Sequence, residues 1–312
     1  MVTDATLLLT NRISATGIDP LRAKEYWAVV NATDVNELPG LPTSEICDRL
    51  EDAELGERVA RLLDTGTALA LALEELETKG IVAVPYGDDR YPERLRENLG
   101  DSAPPLIYAA GPLEWLDVAL LGVVGSRNVD EEGAVVARSV AEVAQRITAG
   151  IVSGGARGVD LMSMDAAYEL GIPSVGVTAE GIERAGRRRE FRAAVADSRL
   201  LLLSPFAPGA GFSVGNAMGR NKLIYAMAVN TLVVASDAES GGTWAGATEA
   251  LRRNFGSVSV WTGVGAGDGN QLLIDRGGKA VNDLATWEPQ LEESSSVSPD
   301  PKSEAEQLGL DL

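Results

Sequence analysis

Four short stretches of the chain carry residues suited to holding an anion: Gly125-Ser126-Arg127-Asn128, Ser153-Gly154-Gly155-Ala156-Arg157-Gly158, Gly219-Arg220-Asn221-Lys222 and Ser240-Gly241-Gly242-Thr243. Glycine lets backbone N–H groups come close to a bound oxyanion, and arginine adds a forked donor where lysine adds a point charge. Any one of these stretches reads equally well as a tight strand-to-helix turn. Together they place Arg127, Arg157, Arg220 and Lys222 where one rim could gather them. A fifth stretch, "GIERAGRRREFR", packs Arg184, Arg187, Arg188, Arg189 and Arg192 closely together. It reads either as a solvated charged face or as part of the same anion site.

Residue types that are missing narrow the chemistry. The sequence has no histidine, which excludes a histidine general base, a histidine-based triad and histidine metal ligation. The single Cys47 lies in an apolar helical context and reads as a packing thiol. No P-loop pattern occurs, and no GxGxxG follows an apolar strand run. No cofactor and no metal site are therefore expected. Any catalysis would fall to carboxylates, with Asp160, Asp165, Asp237, Glu239 and Glu249 as candidates. Asp160 also suits a helix cap.

The elements that must position these residues are legible from residue 119 onward. Apolar runs of strand length occur at 119–124, 150–153, 172–178, 199–204, 231–236 and 257–262, with helical patterns between most of them. Continuous apolar runs are the mark of strands buried on both faces, and their alternation with helices predicts an α/β fold with a doubly wound, mainly parallel, Rossmann-like sheet. In such a sheet ligands bind beyond the carboxyl ends of the strands, where four of the stretches above fall. Residues 1–80 show helical spacing and predict a small helical N-terminal domain. Residues 81–118 predict a connecting segment with two short extended pieces, leading into a Rossmann-like domain over 119–284. Residues 285–312, rich in serine, proline and acids, predict a disordered tail.

The formal net charge of −19 argues at first against a nucleic-acid partner. Its distribution removes the objection: residues 1–118 carry −12, residues 283–312 carry −7, and 119–282 are neutral. No apolar run reaches the length of a membrane span and the N-terminus has no signal-peptide pattern, so a cytoplasmic protein with no membrane partner is expected.

The motifs "VVGSRNVDEEG", "IVSGGARGVDLMSMDAAYELGI", "GRNKLIYAMAVNTLVVAS" and "SGGTWAGATEAL", in this order, resemble the DNA-processing protein A family, also called Smf. The resemblance extends upstream through "LETKGIVAVPYGDDRYPERL". It implies a non-enzymatic, dimeric single-stranded DNA binder in DNA uptake, transformation and recombination, presenting strands to a RecA-type recombinase. Carried over by motif, it implies that Arg127 and the Arg187-Arg188-Arg189 run contact the DNA backbone. It also implies that Ser126, Gly154, Arg157, Gly158, Arg220, Asn221 and Lys222 line the same pocket. Phe191, Phe212, Tyr225 and Trp244 are the aromatic residues nearby. Ser163-Met164 stand where the family usually has an Ala-His pair, Thr262-Gly263 replace a usual Pro-Gly, and the acidic tail leaves no room for an appended winged-helix domain.

A second resemblance is to a related Rossmann branch of nucleotide sensors and the phosphoribohydrolases called Lonely Guy. There a Gly-Gly-Thr turn precedes a catalytic glutamate. Gly241-Gly242-Thr243 followed by Glu249, with Arg220 upstream, echo that arrangement at a longer spacing.

Overall fold

A computed structural model of the chain describes residues 4–285 and Trp287. Helices α1 (Ala5–Thr10), α2 (Ala23–Ala32), α3 (Thr43–Leu50), α4 (Ala53–Leu63) and α5 (Gly66–Thr78) come first. Strand β1 (Val82–Pro85), helix α6 (Glu93–Leu99) and strand β2 (Leu106–Ala110) follow. The alternating part then runs β3 (Leu120–Val124), α7 (Glu131–Arg146), β4 (Gly150–Ser153), α8 (Val159–Leu170), β5 (Ser174–Val177), α9 (Ile182–Ala185), α10 (Arg189–Ala196) and β6 (Leu201–Ser204). It continues with α11 (Val214–Met227), β7 (Asn230–Val233), α12 (Gly241–Arg253), β8 (Val258–Trp261), α13 (Asn270–Asp275) and β9 (Lys279–Val281).

The strands form one nine-stranded sheet in the order β1-β2-β6-β5-β4-β3-β7-β8-β9. Pairings from β6 through to β9 are parallel, while β2 pairs antiparallel with both β1 and β6. The expected α/β, Rossmann-like architecture is what the chain adopts. Segment 81–118 does more than connect, since it supplies two strands to one edge. Four-residue strands suffice because β3 to β8 are buried on both faces. Alternate residues of β3 feed opposite cores: Leu121 and Val123 pack under α7 and α8, Leu120 and Val124 under α11 and α12. The N-terminal helices share that second core, where Leu9, Trp27 and Val59 join Leu223 and Ala247 in one cluster. Trp27 Nε1 donates to the Ala103 carbonyl at 2.9 Å, fastening α2 to the segment before β2.

The chain runs outward from β3 to β6, then returns to place β7 on the other side of β3. The β3–β7 junction is the point where strand order reverses, so the loops beyond it splay apart and leave a crevice. Those two loops are tied at their base, Ser126 N–H donating to the Ala235 carbonyl at 2.8 Å. Buried Asn270 holds the far wall: it accepts from Ser236 N–H at 2.8 Å and donates to the Val234 and Trp261 carbonyls.

Trp287 lies beyond the expected end of the ordered chain, yet it is fully buried in the α7/α8 core and donates to Ser259 Oγ at 3.0 Å. The rest of the expected acidic tail, from residue 288 onward, lies outside the described residues. No helix among the described residues is long and apolar enough to cross a membrane.

Candidate functional site

Two adjoining cavities open at the carboxyl rim of the sheet. The first, of about 520 Å³, fills the β3–β7 crevice and is lined by Gly125, Ser126, Arg127, Arg220, Asn221, Gly241, Gly242 and Thr243, among others. The second, of about 470 Å³, lies over β4 and β5 and takes in Gly154, Gly155, Arg157 and Arg188. Arg127, Ala156, Phe212, Ala217 and Arg220 belong to both, so the two form one cleft with Arg220 at its floor.

Each loop is built for this convergence. Asp130 caps α7 by accepting from Gly133 N–H at 2.8 Å, and Ser213 caps α11 through Asn216 N–H at 3.0 Å. The N-terminal ends of α11 and α12 face the crevice, which directs their partial positive charge into it. Gly158 has φ +90°, and a Cβ there would meet the Ser126 carbonyl at 2.3 Å. The β3 and β4 loops can therefore close on one another only through glycine. Gly154 plays the corresponding part for Arg220: a Cβ would stand 1.8 Å from Nη1. Both glycines make room for protein atoms, where the sequence suggested room for a ligand.

Arg220 is buried and donates through Nη2 to the Gly154 carbonyl at 3.0 Å. Among the described residues its Nε has no hydrogen-bond partner, and neither has the hydroxyl of Tyr225, also fully buried against the crevice. Burial lowers the Arg220 pKa and nearby Asp160 opposes that shift. Asp160 lies under the cleft, its Oδ2 accepting from Ala156 N–H at 3.4 Å. Burial pushes its carboxyl above the ordinary carboxylate value, against the attraction of Arg220 and of the loop N–H groups. The residue read as a helix cap thus lies beneath the floor as the acidic neighbour of Arg220.

Around this floor the cations are graded by exposure. Arg127 is exposed at the mouth and pairs with no carboxylate among the described residues. Arg157, also exposed, donates to Asn128 Oδ1 at 2.5 Å. Arg188 is partly committed: it donates to the Gly155 carbonyl at 3.2 Å, pairs with Glu180 at 2.9 Å and covers the Phe191 ring. Arg187 and Arg189 are exposed but line neither cavity. Ser153 is buried, its hydroxyl donating to the Val123 carbonyl at 2.6 Å, so it ties β4 to β3 below the rim. Phe191, Tyr225 and Trp244 are all buried, whereas Phe212 and Val214 stand 55% and 74% exposed over the cleft.

Lys222 and Glu249 stand apart from this cleft. Lys222 lies on the opposite face of α11, largely buried, its ammonium donating to the Ser102 carbonyl. Burial lowers its pKa; Glu249 raises it and Arg253 lowers it further. Glu249 therefore neighbours Lys222 and does not line the crevice with Gly241-Gly242-Thr243. Asp237, one of the carboxylate candidates, lines the crevice; Val214, Met218 and buried Asn270 belong to the site or its frame without having been singled out by residue type.

The profile of the DNA recombination-mediator protein A family matches residues 82–290, from β1 to beyond the last strand. The chain belongs to this family. It is 31% identical over 205 residues to DNA processing protein DprA of Streptococcus pneumoniae, covering 62% of this chain and 68% of that protein. It is 26% identical over 176 residues to Protein Smf of Synechocystis, covering 54% of this chain but only 43% of that protein. The X-ray structure of the Streptococcus pneumoniae DprA superposes with a TM-score of 0.69 at 23% identity, over 85% of this chain and 92% of that one. A Helicobacter pylori DprA, described for its unique mode of binding single-stranded DNA, superposes with a TM-score of 0.56 at 18% identity, over 68% of this chain and 96% of that one. At these identities the two superpositions establish a common DprA fold. The family's matched span covers every loop of the cleft, while α1–α5 lie ahead of it.

Proposed function

We propose that this DNA recombination-mediator family member binds single-stranded DNA along the cleft, without catalysing a reaction on it, and presents the strand to a RecA-type recombinase as a homodimer. The observation that carries the binding step is the cleft itself. Exposed Arg127 and Arg157 face an open channel at the helix N-termini, over a buried arginine, with an exposed phenylalanine between the two halves. Cations that track a backbone, joined to an aromatic face that accepts any base, are the physical requirements of strand binding without sequence preference. The chemistry of the cleft suits a phosphodiester more than hydrolysis, because its arginines and helix N-termini are donors and no histidine exists to move a proton. Family membership supports the recombination role, and the strand-binding relative from Helicobacter pylori supports the choice of ligand.

Titration of labelled oligothymidylate at two salt concentrations tests the binding step. Saturable binding that weakens with salt is expected, reduced at least tenfold, about 1.4 kcal/mol, by Arg127→Ala combined with Arg157→Ala. Unchanged affinity in the double variant would overturn the reading. Light scattering of the purified chain tests the dimer, and strand-exchange assays with a RecA-type protein test the presentation step.

A further inference from the structure

On the other side of α11 from the cleft, a third cavity of about 290 Å³ lies where the N-terminal helices meet the sheet. Its walls come from parts of the chain far apart in sequence: the loop after α1, the start of α2, the segment before β2, the turn after β6, and α11. Arg12, Arg22 and Lys222 line it, and no carboxylate of the described residues does. The lysine ammonium is largely withdrawn from water, and the one acceptor it finds among the described residues is the Ser102 carbonyl. An ammonium has three donors, so one carbonyl, with Glu249 acting on it through its charge, leaves it short of hydrogen-bond acceptors. Buried Tyr108 stands on the same wall, its hydroxyl beside the Arg12 backbone N–H. Arg12 and Arg22 stand exposed at the rim. Glu25, which interacts with Arg22 from within α2, is ion-paired with Arg58 at 2.5 Å and so is already matched. The remaining lining is mostly apolar and includes Pro104, Pro105 and Phe206.

We infer that this cavity is a second binding site for a nucleotide unit, its phosphate held by Lys222, Arg12 and Arg22 and its base laid on the proline–phenylalanine wall. The unit comes either from a DNA strand that leaves the cleft across α11 or from a free nucleotide. The route across α11 is open. Residues 213–215 and 219 are exposed, and nothing lies within 4 Å of where a side chain on Gly219 would stand. In its strand form the inference rests on the reading of the cleft given above; in its free-nucleotide form it does not.

The test compares the intact chain with Arg12→Gln/Arg22→Gln, both at exposed positions that spare the core, and with Lys222→Gln. Labelled oligothymidylates of about 6 and about 20 nucleotides bracket the strand lengths one binding fold accommodates. If a strand supplies the unit, the arginine variant loses about threefold to tenfold affinity for the longer oligonucleotide and about 0.7 in salt slope, while the shorter one binds as before. If a free nucleotide supplies it, calorimetry with thymidine monophosphate shows saturable binding that the arginine variant and Lys222→Gln abolish and Arg127→Ala leaves intact. Equal losses on both oligonucleotides, or no response of either ligand to the arginine variant, overturn the inference. An intact chain that binds no oligonucleotide removes the cleft reading, and the mononucleotide arm then decides this one alone.

Discussion

The guanidinium of Arg220 occupies the space in which a side chain at Gly154 would stand. Nη2 donates to the Gly154 carbonyl at 3.0 Å, and a Cβ on Gly154 would come within 1.8 Å of Nη1. A buried cation is thereby held against the strand-to-helix turn of β4, at the floor of both cavities. Gly154→Ala should evict it. The overpacking is expected to cost about 1–3 kcal/mol of stability. Oligonucleotide affinity should fall in parallel as the guanidinium moves. Gly219→Ala is the control: nothing lies within 4 Å of its added methyl, and the site is inside α11. That substitution should stabilise by about 0.5–1 kcal/mol through helix propensity. Thermal or urea melts of the two variants read the contrast, which vanishes if Arg220 is free to reposition.

Asp160 supplies a pH dependence of definite sign. Burial raises its carboxyl above the ordinary value in the folded chain, so the native state binds this proton more tightly than the unfolded state does. Its ionisation therefore lowers stability as pH climbs from the ordinary carboxylate range through the raised value. Asp160→Asn keeps the shape and removes the titration. The variant should match the parent near pH 4 and exceed its stability at neutral pH, with stronger oligonucleotide binding once the negative charge is gone from beneath Arg220. Urea melts across that range check it; a variant less stable at neutral pH shows that Asp160 is held ionised by Arg220.

The graded cations predict graded salt effects. For single strands each phosphate neutralised contributes about 0.7 to the slope of log affinity against log salt. Arg127→Ala and Arg157→Ala should each remove about that much, because these side chains face the cleft without a carboxylate partner. Arg188→Ala should remove less, since Glu180 already neutralises it. Arg187→Ala and Arg189→Ala, outside both cavities, should leave the slope close to the parent's. Equal slopes for all five variants would contradict the assignment.

The strands from β3 to β8 were legible because buried parallel strands leave unbroken apolar runs, and the rim was legible because glycine and arginine recur at their ends. The division of "GRNK" between two sites was not. Successive helical residues turn by about 100°, so Arg220 and Lys222 point about 200° apart. Residues 223–227 of the same helix are all buried, and their sequence gives no polar face to set the phase. The roles of Gly154 and Gly158 were also hidden, since a glycine spared for an arginine reads the same as one spared for a phosphate. β9, with two of its three residues exposed, has no apolar run to announce it. Trp287 sits in an acidic, serine-rich context that conceals its burial.

That tryptophan makes a prediction about what closes the α7/α8 core. Its ring is fully buried in the α7/α8 core, and its indole N–H is satisfied by Ser259 Oγ at 3.0 Å. Trp287→Ala should cost about 3–5 kcal/mol, as for other large aromatic residues removed from cores. Truncation after residue 284 should cost at least as much, measured by urea denaturation. A truncated chain with parental stability would mean that the α7/α8 core closes without the ring.

Phe212 tests whether bases, as well as phosphates, are held. Its ring is 55% exposed in a loop that borders both cavities, flanked by Val214 and within the field of Arg127 and Arg220. An aromatic side chain left in water at the mouth of a cationic cleft gains nothing from the core, so removing it should barely alter stability. Stacking of a base on such a ring is worth about 1–3 kcal/mol. Phe212→Ala should therefore weaken oligonucleotide binding by about fivefold to a hundredfold. Phe212→Trp should restore it and Phe212→Leu should not, because only the former keeps a π-face. The loss should be similar for thymine and adenine runs, and it should disappear on an oligonucleotide with abasic residues throughout, which offers phosphates without bases. An equal loss on the abasic strand would assign the effect to loop geometry, leaving Arg127 and Arg157 to bind the backbone alone.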